Sequence, residues 1–308
     1  MKRWLWIAAV LVGAAMASAC SAGPAARGDK LRVVATMTIV SDVVAQVGGD
    51  AISLTVLLPV GADPHVFDPS PQDMAKVTDA GLIFANGAGL EAFLERLLEN
   101  AGGAADVVYV SEGVAFIETA SHENEKESAH THEGVDPHTW TDPNNVLRWV
   151  DSIEAALVRR DPAHAAGYKA NADAYRAQLR ELDVWVREQV EKIPPENRKL
   201  VTDHETFAYF AQRYGFEQVG AVVSGYSTAA QPSARDLAAL EDRIRAYGVK
   251  AVFVGSTVNP ALAQRVAEDT GVKLMFLYTG SLTAPGGEAD SYLNYVKYNV
   301  GAMVEGLR

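Results

Sequence analysis

Apolar residues along this chain fall first in short runs, then at helical spacing, then in short runs again. Leu31-Arg32-Val33-Val34-Ala35 predicts a strand, Ile39 to Val47 a helix ended by Gly48-Gly49, and Ile52 to Leu58 a second strand. Ser70-Pro71-Gln72-Asp73 opens another helix. Ser70 is its N-cap, Pro71 occupies the first turn and Asp73 complements the dipole. Gly81 to Ala85, Leu90 to Asn100 and Asp106 to Val110 continue the alternation. The middle is different, because from Asp161-Pro162 to Ile193 strand signals cease. Tyr168, Ala172, Tyr175, Leu179, Leu182, Val186 and Val190 recur every three or four residues, which is one apolar face of a helix. That helix would be about 45 Å long at 1.5 Å per residue, and Pro194-Pro195 stops it.

After Lys199 the first pattern returns. Leu200-Val201-Thr202, Phe216 to Val223, Val249 to Val254 and Val272 to Tyr278 predict strands. Helices are predicted over Glu205 to Tyr214, Ala234 to Tyr247, Pro260 to Asp269 and from about Asp290 onward. The fold class is therefore α/β: two lobes with mostly parallel sheets flanked by helices, joined by one long connecting α-helix. The boundaries read as an N-terminal lobe over 31–145, connecting helices over 146–195 and a C-terminal lobe over 196–308.

The first thirty residues stand apart from this alternation. Lys2 and Arg3, an apolar stretch from Trp4 to Met16 and the small residues Ala17-Ser18-Ala19 make a signal peptide over 1–19. Cys20 is the only cysteine, which excludes an intramolecular disulfide. Small residues followed by Cys resemble a bacterial lipobox, with Ala17 where Leu is usual, so Cys20 is the expected site of lipidation. Residues 20–30, rich in Ala and Gly, then form a tether. Removing Met1 to Ala19 takes away Lys2 and Arg3, so the formal charge of −12 becomes −14. That balance excludes nucleic acid as a partner. The roughly 290 residues that remain are long enough for two modest cores rather than one.

Candidate chemistry lies in the histidines. There are seven, and six lie in or beside Asp63-Pro64-His65, Asp136-Pro137-His138 and Thr202-Asp203-His204. His65 and His204 each follow a predicted strand directly, and in open α/β sheets ligands gather at the carboxyl ends of strands. Three imidazoles facing one inter-lobe cleft suit Zn²⁺. Asp63, Asp136 and Asp203 are the expected acceptors for the other ring N–H of these histidines. A stretch over 121–133 carries His122, His130 and His132 among Glu and Ser, without apolar periodicity. It predicts a mobile loop with a weak, secondary metal site. His164 reads as a surface residue, and Phe207, Phe210 and Tyr214 as core.

These residues resemble a family, the zinc/manganese-binding solute-binding proteins of bacterial ABC importers (the ZnuA/TroA-like group). The resemblance rests on Gly61-Ala62-Asp63-Pro64-His65-Val66-Phe67-Asp68-Pro69-Ser70-Pro71, on Asp136-Pro137-His138-Thr139-Trp140-Thr141-Asp142-Pro143 and on Val201-Thr202-Asp203-His204-Glu205-Thr206-Phe207-Ala208-Tyr209-Phe210. Gly225-Tyr226-Ser227-Thr228 and Gln231-Pro232-Ser233 extend it over nearly the whole chain after residue 30. It implies two α/β lobes, a rigid connecting helix and one metal in the cleft, held by His65, His138 and His204. Histidine at position 204 favours zinc, because manganese-binding members tend to carry a carboxylate there. Two departures leave the fourth coordination position open: Gly280 stands where many relatives place an acidic ligand, and Gly255 where Glu is common. Water, Asp290 or a loop histidine are candidates to fill it.

The resemblance further implies a monomer outside the cytoplasm, held at the membrane by a lipid on Cys20. It would hand Zn²⁺ to a permease and its ATPase. A manganese-specific protein of the same family, or a surface adhesin with a structural metal, are the alternatives. A zinc hydrolase is disfavoured, since the chain has no His-Glu-x-x-His helix and no evident general base.

Overall fold

The computed structural model describes residues 30–102, 105–118 and 134–308. The expected signal peptide, the expected tether up to residue 29 with Cys20, and the histidine-rich stretch with His122, His130 and His132 lie outside them. Strands β1 (Leu31–Ala35), β2 (Ile52–Val56), β3 (Leu82–Ala85) and β4 (Asp106–Tyr109) form a parallel sheet in the order β2-β1-β3-β4. Strands β5 (Lys199–Thr202), β6 (Glu217–Ala221), β7 (Ala251–Gly255) and β8 (Lys273–Leu277) form a second parallel sheet, β6-β5-β7-β8. The two orders are the same. In each, the chain leaves the first strand toward one edge and returns to build the other, which creates a switch point beside β1 and beside β5. β3 and β7 are buried along their full length, as their unbroken apolar runs predict.

Nine helices surround the sheets among the described residues: α1 (Thr38–Gly48), α2 (Pro71–Thr78), α3 (Leu94–Ala101), α4 (Pro143–Arg160), α5 (Ala165–Val190), α6 (Ala208–Tyr214), α7 (Ala234–Tyr247), α8 (Ala261–Thr270) and α9 (Tyr292–Leu307). Ser70 caps α2 through a full capping box with Asp73. The predicted long helix is α5, and its buried residues are the seven whose spacing defined the face. It is about 39 Å long at 1.5 Å per residue, shorter than expected because Pro162–His164 form a separate 3₁₀ turn. α3 and α6 also start later than expected. Gly87, Ala88 and Gly89 all adopt positive φ and turn the chain ahead of α3, and residues 204–207 form the turn that carries His204.

Two separate cores were expected, and the packing differs. One hydrophobic cluster runs from Val33 and Ala35 in β1 through the face of α5 to Phe253 in β7 and Met303 in α9. Smaller clusters cover the outer faces of the two sheets. The cause is α5 itself, which packs against α1, α4 and α9 and so lets both sheets bury apolar surface on one strut.

Polar contacts close the same junction. The Trp140 indole donates to Thr279 O (3.1 Å) and lies 3.2 Å from the Tyr295 hydroxyl, while Tyr292 donates to Trp140 O at 2.7 Å. Gly61 N–H donates to Ser281 Oγ (2.9 Å), and Tyr292 N–H to Asp42 (2.9 Å). The segment after β8 thus returns to the first half of the chain. Among the described residues no helix is long and apolar enough to cross a membrane. Trp140→Phe removes the indole donor from this buried junction and should cost about 1–3 kcal/mol, read as a lowered urea midpoint of the metal-free protein.

Candidate metal centre

The three histidines reach one point by different local routes. Asp203 and His204 follow β5 immediately, and Thr202 Oγ1 donates to His204 O at 2.5 Å to hold the turn. His138 ends the extended Asp136-Pro137 segment. There the Asn86 side chain donates to Pro137 O (3.0 Å) and the Tyr209 hydroxyl to Asp136 O (2.7 Å). His65 does not follow its strand directly; β2 ends at Val56 and a loop containing Pro59, Gly61 and Pro64 intervenes. That loop is fixed by Asp63, which accepts the His65 backbone N–H at 3.0 Å and the Thr228 hydroxyl at 2.6 Å. The second contact ties the His65 loop to the segment after β6.

The rings converge. Nε2 of His138 lies 3.1 Å from Nε2 of His65 and 3.2 Å from Nε2 of His204, and the three ring centroids are 5.0–5.4 Å apart. Tetrahedral Zn²⁺ with bonds of about 2.0–2.1 Å requires donors about 3.3 Å apart, so the spacing fits one small cation. Among the described residues, these three are the group of His, Cys, Asp and Glu side chains whose donor atoms lie close enough to share an ion.

Buried carboxylates set the tautomers. Asp136 Oδ1 lies 2.8 Å from His138 Nδ1, and Asp203 Oδ1 lies 2.8 Å from His204 Nδ1. A carboxylate only accepts here, so both rings carry the proton on Nδ1 and aim the Nε2 lone pair at the common centre. Asp63 was expected to do the same for His65. It holds the backbone and Thr228 instead, because its carboxylate is turned toward the opposite half.

Burial favours the neutral form of His65 and His138. His138 and His204 are 1% and 3% exposed. Burial, with the neighbouring imidazoles adding to it, pushes His65 down to about 3 and His138 well below its ordinary value. The same burial pushes Asp136 up to about 7, and its Oδ2 is enclosed without a hydrogen-bond partner.

Asp203 does more than its sequence position suggested. Its Oδ2 accepts the Gly255 N–H at 2.7 Å, at the end of β7 and beside the switch point. A Cβ on residue 255 would fall 2.8 Å from that oxygen and collide with Thr279 as well. Glycine at 255 therefore makes the room that Asp203 uses. The pairing went unnoticed in the sequence because the two residues are 52 positions apart. Thr206 also escaped notice; it is fully buried, and its Oγ1 lies 2.8 Å from His204 Nε2.

Other candidates fall away. Asp290 is no fourth donor, because its carboxylate is turned elsewhere and accepts from Gly286 N–H and the Asn294 amide, each at 2.9 Å. A Cβ on Gly280 would lie 2.9 Å from Pro64, so that position borders the His65 loop but offers no side chain. His164 sits at the surface against Asp161 (2.6 Å), and Phe207, Phe210 and Tyr214 are core.

Comparison with known proteins finds metal-binding relatives. The family described as the periplasmic zinc-uptake complex component A (ZnuA) matches residues 33–306. The manganese-binding lipoprotein MntA of Halalkalibacterium halodurans is 34% identical over 100% of this chain and 99% of its own length. The manganese ABC transporter substrate-binding lipoprotein PsaA of Streptococcus anginosus is 34% identical over 94% of each chain. Among solved structures, the periplasmic zinc-binding protein TroA of Treponema pallidum superposes with a TM-score of 0.81 at 27% identity, covering 90% of this chain and 99% of that one. A manganese-bound periplasmic metal-binding protein from Candidatus Liberibacter asiaticus gives 0.78 at 25% identity, covering 91% and 100%.

Two outcomes follow from the site. Imidazoles whose folded pKa is depressed contribute stability that is present above the unfolded value of 6.5 and lost as pH falls toward about 3, the value for His65. His65→Asn should therefore make the urea midpoint of the metal-free protein less sensitive to pH between about 6.5 and 4. Asp203→Asn cannot accept from both His204 and Gly255 with one amide oxygen. It should weaken zinc binding by about 10- to 100-fold in chelator competition, and an unchanged affinity would show that Asp203 does not orient the ring.

Proposed function

Because the chain belongs to the family of the periplasmic component A of zinc-uptake complexes, we propose that His65, His138 and His204 capture Zn²⁺ for delivery to an ABC permease driven by its ATPase. The coarser statement is plain: this is an extracytoplasmic metal-binding protein of an ABC importer, a carrier and not an enzyme. The single observation that carries the zinc reading is the donor set. Three imidazole nitrogens face one centre, and no described carboxylate shares it. Imidazole suits Zn²⁺, whereas Mn²⁺ prefers carboxylate, carbonyl and water oxygens.

A second reading has its own support. Relatives about a third identical over nearly their whole length are named as manganese proteins. Affinity alone does not separate the two, since a given nitrogen and oxygen site ordinarily binds Zn²⁺ more tightly than Mn²⁺.

Two more assignments belong to the proposal. A lipid on Cys20 anchors the chain, supported by Ala17-Ser18-Ala19-Cys20 and by relatives named lipoproteins. His122, His130 and His132 collect zinc weakly. The described residues on either side of that stretch are held together, because Glu118 pairs with Val135 and Asp136 N–H donates to Ile117 O at 2.9 Å. Metal taken up there would enter close to His138.

The test has two arms. Replacing any one of His65, His138 or His204 by Ala should weaken zinc binding by at least about 100-fold in competitive titration; a variant that titrates like the wild type removes that residue from the site. Metal analysis of the protein recovered from its own cell envelope should return zinc. Manganese as the dominant metal would move the cargo to the second reading.

A further inference from the structure

We propose that the Thr206 hydroxyl is the oxygen donor that completes the cation's coordination alongside His65, His138 and His204. The inference rests on the metal-capture reading and deepens it. Three neutral imidazoles leave a tetrahedral cation one position short. No carboxylate among the described residues shares the centre, and Asp290 faces elsewhere. Thr206 Oγ1 lies 2.8 Å from His204 Nε2 and belongs to a fully buried residue.

Tautomers decide what that contact is. Asp203 accepts a hydrogen bond from the Nδ1–H of His204, so Nε2 is the acceptor and the Thr206 hydroxyl the donor. When a cation takes the Nε2 lone pair, this hydrogen bond must break, and a buried hydroxyl without a partner is unfavourable. A second acceptor is already in place, since Thr206 Oγ1 lies 3.4 Å from His204 O. A carbonyl oxygen has two lone pairs, of which Thr202 uses one. Turning the O–H toward that carbonyl leaves an oxygen lone pair facing the cation. No proton leaves the site, one hydrogen bond is exchanged for another, and one metal–oxygen bond forms. The 2.8 Å separation is within about 0.5 Å of the donor spacing that tetrahedral geometry asks for, and the hydroxyl must step off the Nε2 lone-pair axis to make room for the cation.

The alternative is that Thr206 only caps the lone pair of the empty site, and the two roles predict opposite signs. Thr206→Val keeps the shape and removes the oxygen. If Thr206 donates to the cation, zinc binding weakens by about 10- to 100-fold, and the visible absorption of the Co²⁺-loaded protein changes in intensity. Thr206→Ser, which keeps the hydroxyl, should remain close to wild type in both measurements. Thr206→Ala replaces the valine variant should the latter not fold, as judged by circular dichroism of the metal-free protein. Unchanged or tighter zinc binding by the hydroxyl-free variant overturns the inference and leaves the metal-capture reading standing. Failure of the wild-type chain to bind zinc at all would overturn both.

Discussion

Everything in this molecule turns on an unfavourable contact. With both Nδ1 protons committed to carboxylates, the Nε2 atoms of His138 and His204 face one another at 3.2 Å and bring lone pairs together in a place almost closed to water, where repulsion is poorly screened. His65 Nε2 closes the triangle 3.1 Å from His138. Isolated side chains would rotate away. They stay because Asp136 and Asp203 fix the Nδ1 protons of two of them, and because Asp63 fixes the backbone under the third. The electrostatic cost falls when a cation takes the lone pairs. The fold thus holds three imidazole nitrogens in a geometry that suits a cation.

Holding that geometry requires both sheets to keep their relative position. His65 and His138 come from the first half of the chain and His204 from the second. The strut α5 supplies rigidity by sharing one core with helices from both halves. Trp140, two residues beyond His138, is anchored by Thr279, Tyr292 and Tyr295 from the end of the chain. Arg213 in α6 reaches Asp142 at 2.7 Å, which ties the His138 segment to the helix that follows His204. A helix packed along its whole length resists bending more than a linker of irregular chain. Opening the cleft would therefore need local rearrangement of the loops that carry the ligands rather than a wide swing of the halves.

Much of this was legible in residue order, and the reasons for the misses are physical. The period of α5 named its buried residues one by one, because a helix packed on one side writes its geometry into spacing. The strands were found from short apolar runs, and the cluster of His65, His138 and His204 from repeated short motifs. The loops resisted. His65 sits well beyond its strand because Pro59 and Pro64 direct a long excursion, and proline signals a break without giving its path. The shared core was missed because spacing reveals that a face is buried, not what buries it. Asp203 with Gly255 and Thr206 with His204 are contacts set by three-dimensional closeness at the end of β5, and no local pattern announces either.

Charge explains why the donors can all be neutral. A divalent ion enclosed by three imidazoles keeps its full +2 charge, and burying such a charge uncompensated is costly. The compensation lies one layer behind the nitrogens. Asp136 and Asp203, both buried, stand behind His138 and His204 and together supply two negative charges at hydrogen-bond distance from those rings. Without a cation's charge beside it that arrangement is unfavourable, since burial pushes the Asp136 carboxyl up to about 7 and leaves its Oδ2 unpartnered. A cation relieves the strain by drawing electron density through the imidazoles and favouring the ionised carboxylates. A carboxylate at position 280, bound directly to the metal, would add a third negative charge and overshoot neutrality. Glycine at 280 adds no charge where two acidic groups already lie behind the imidazoles.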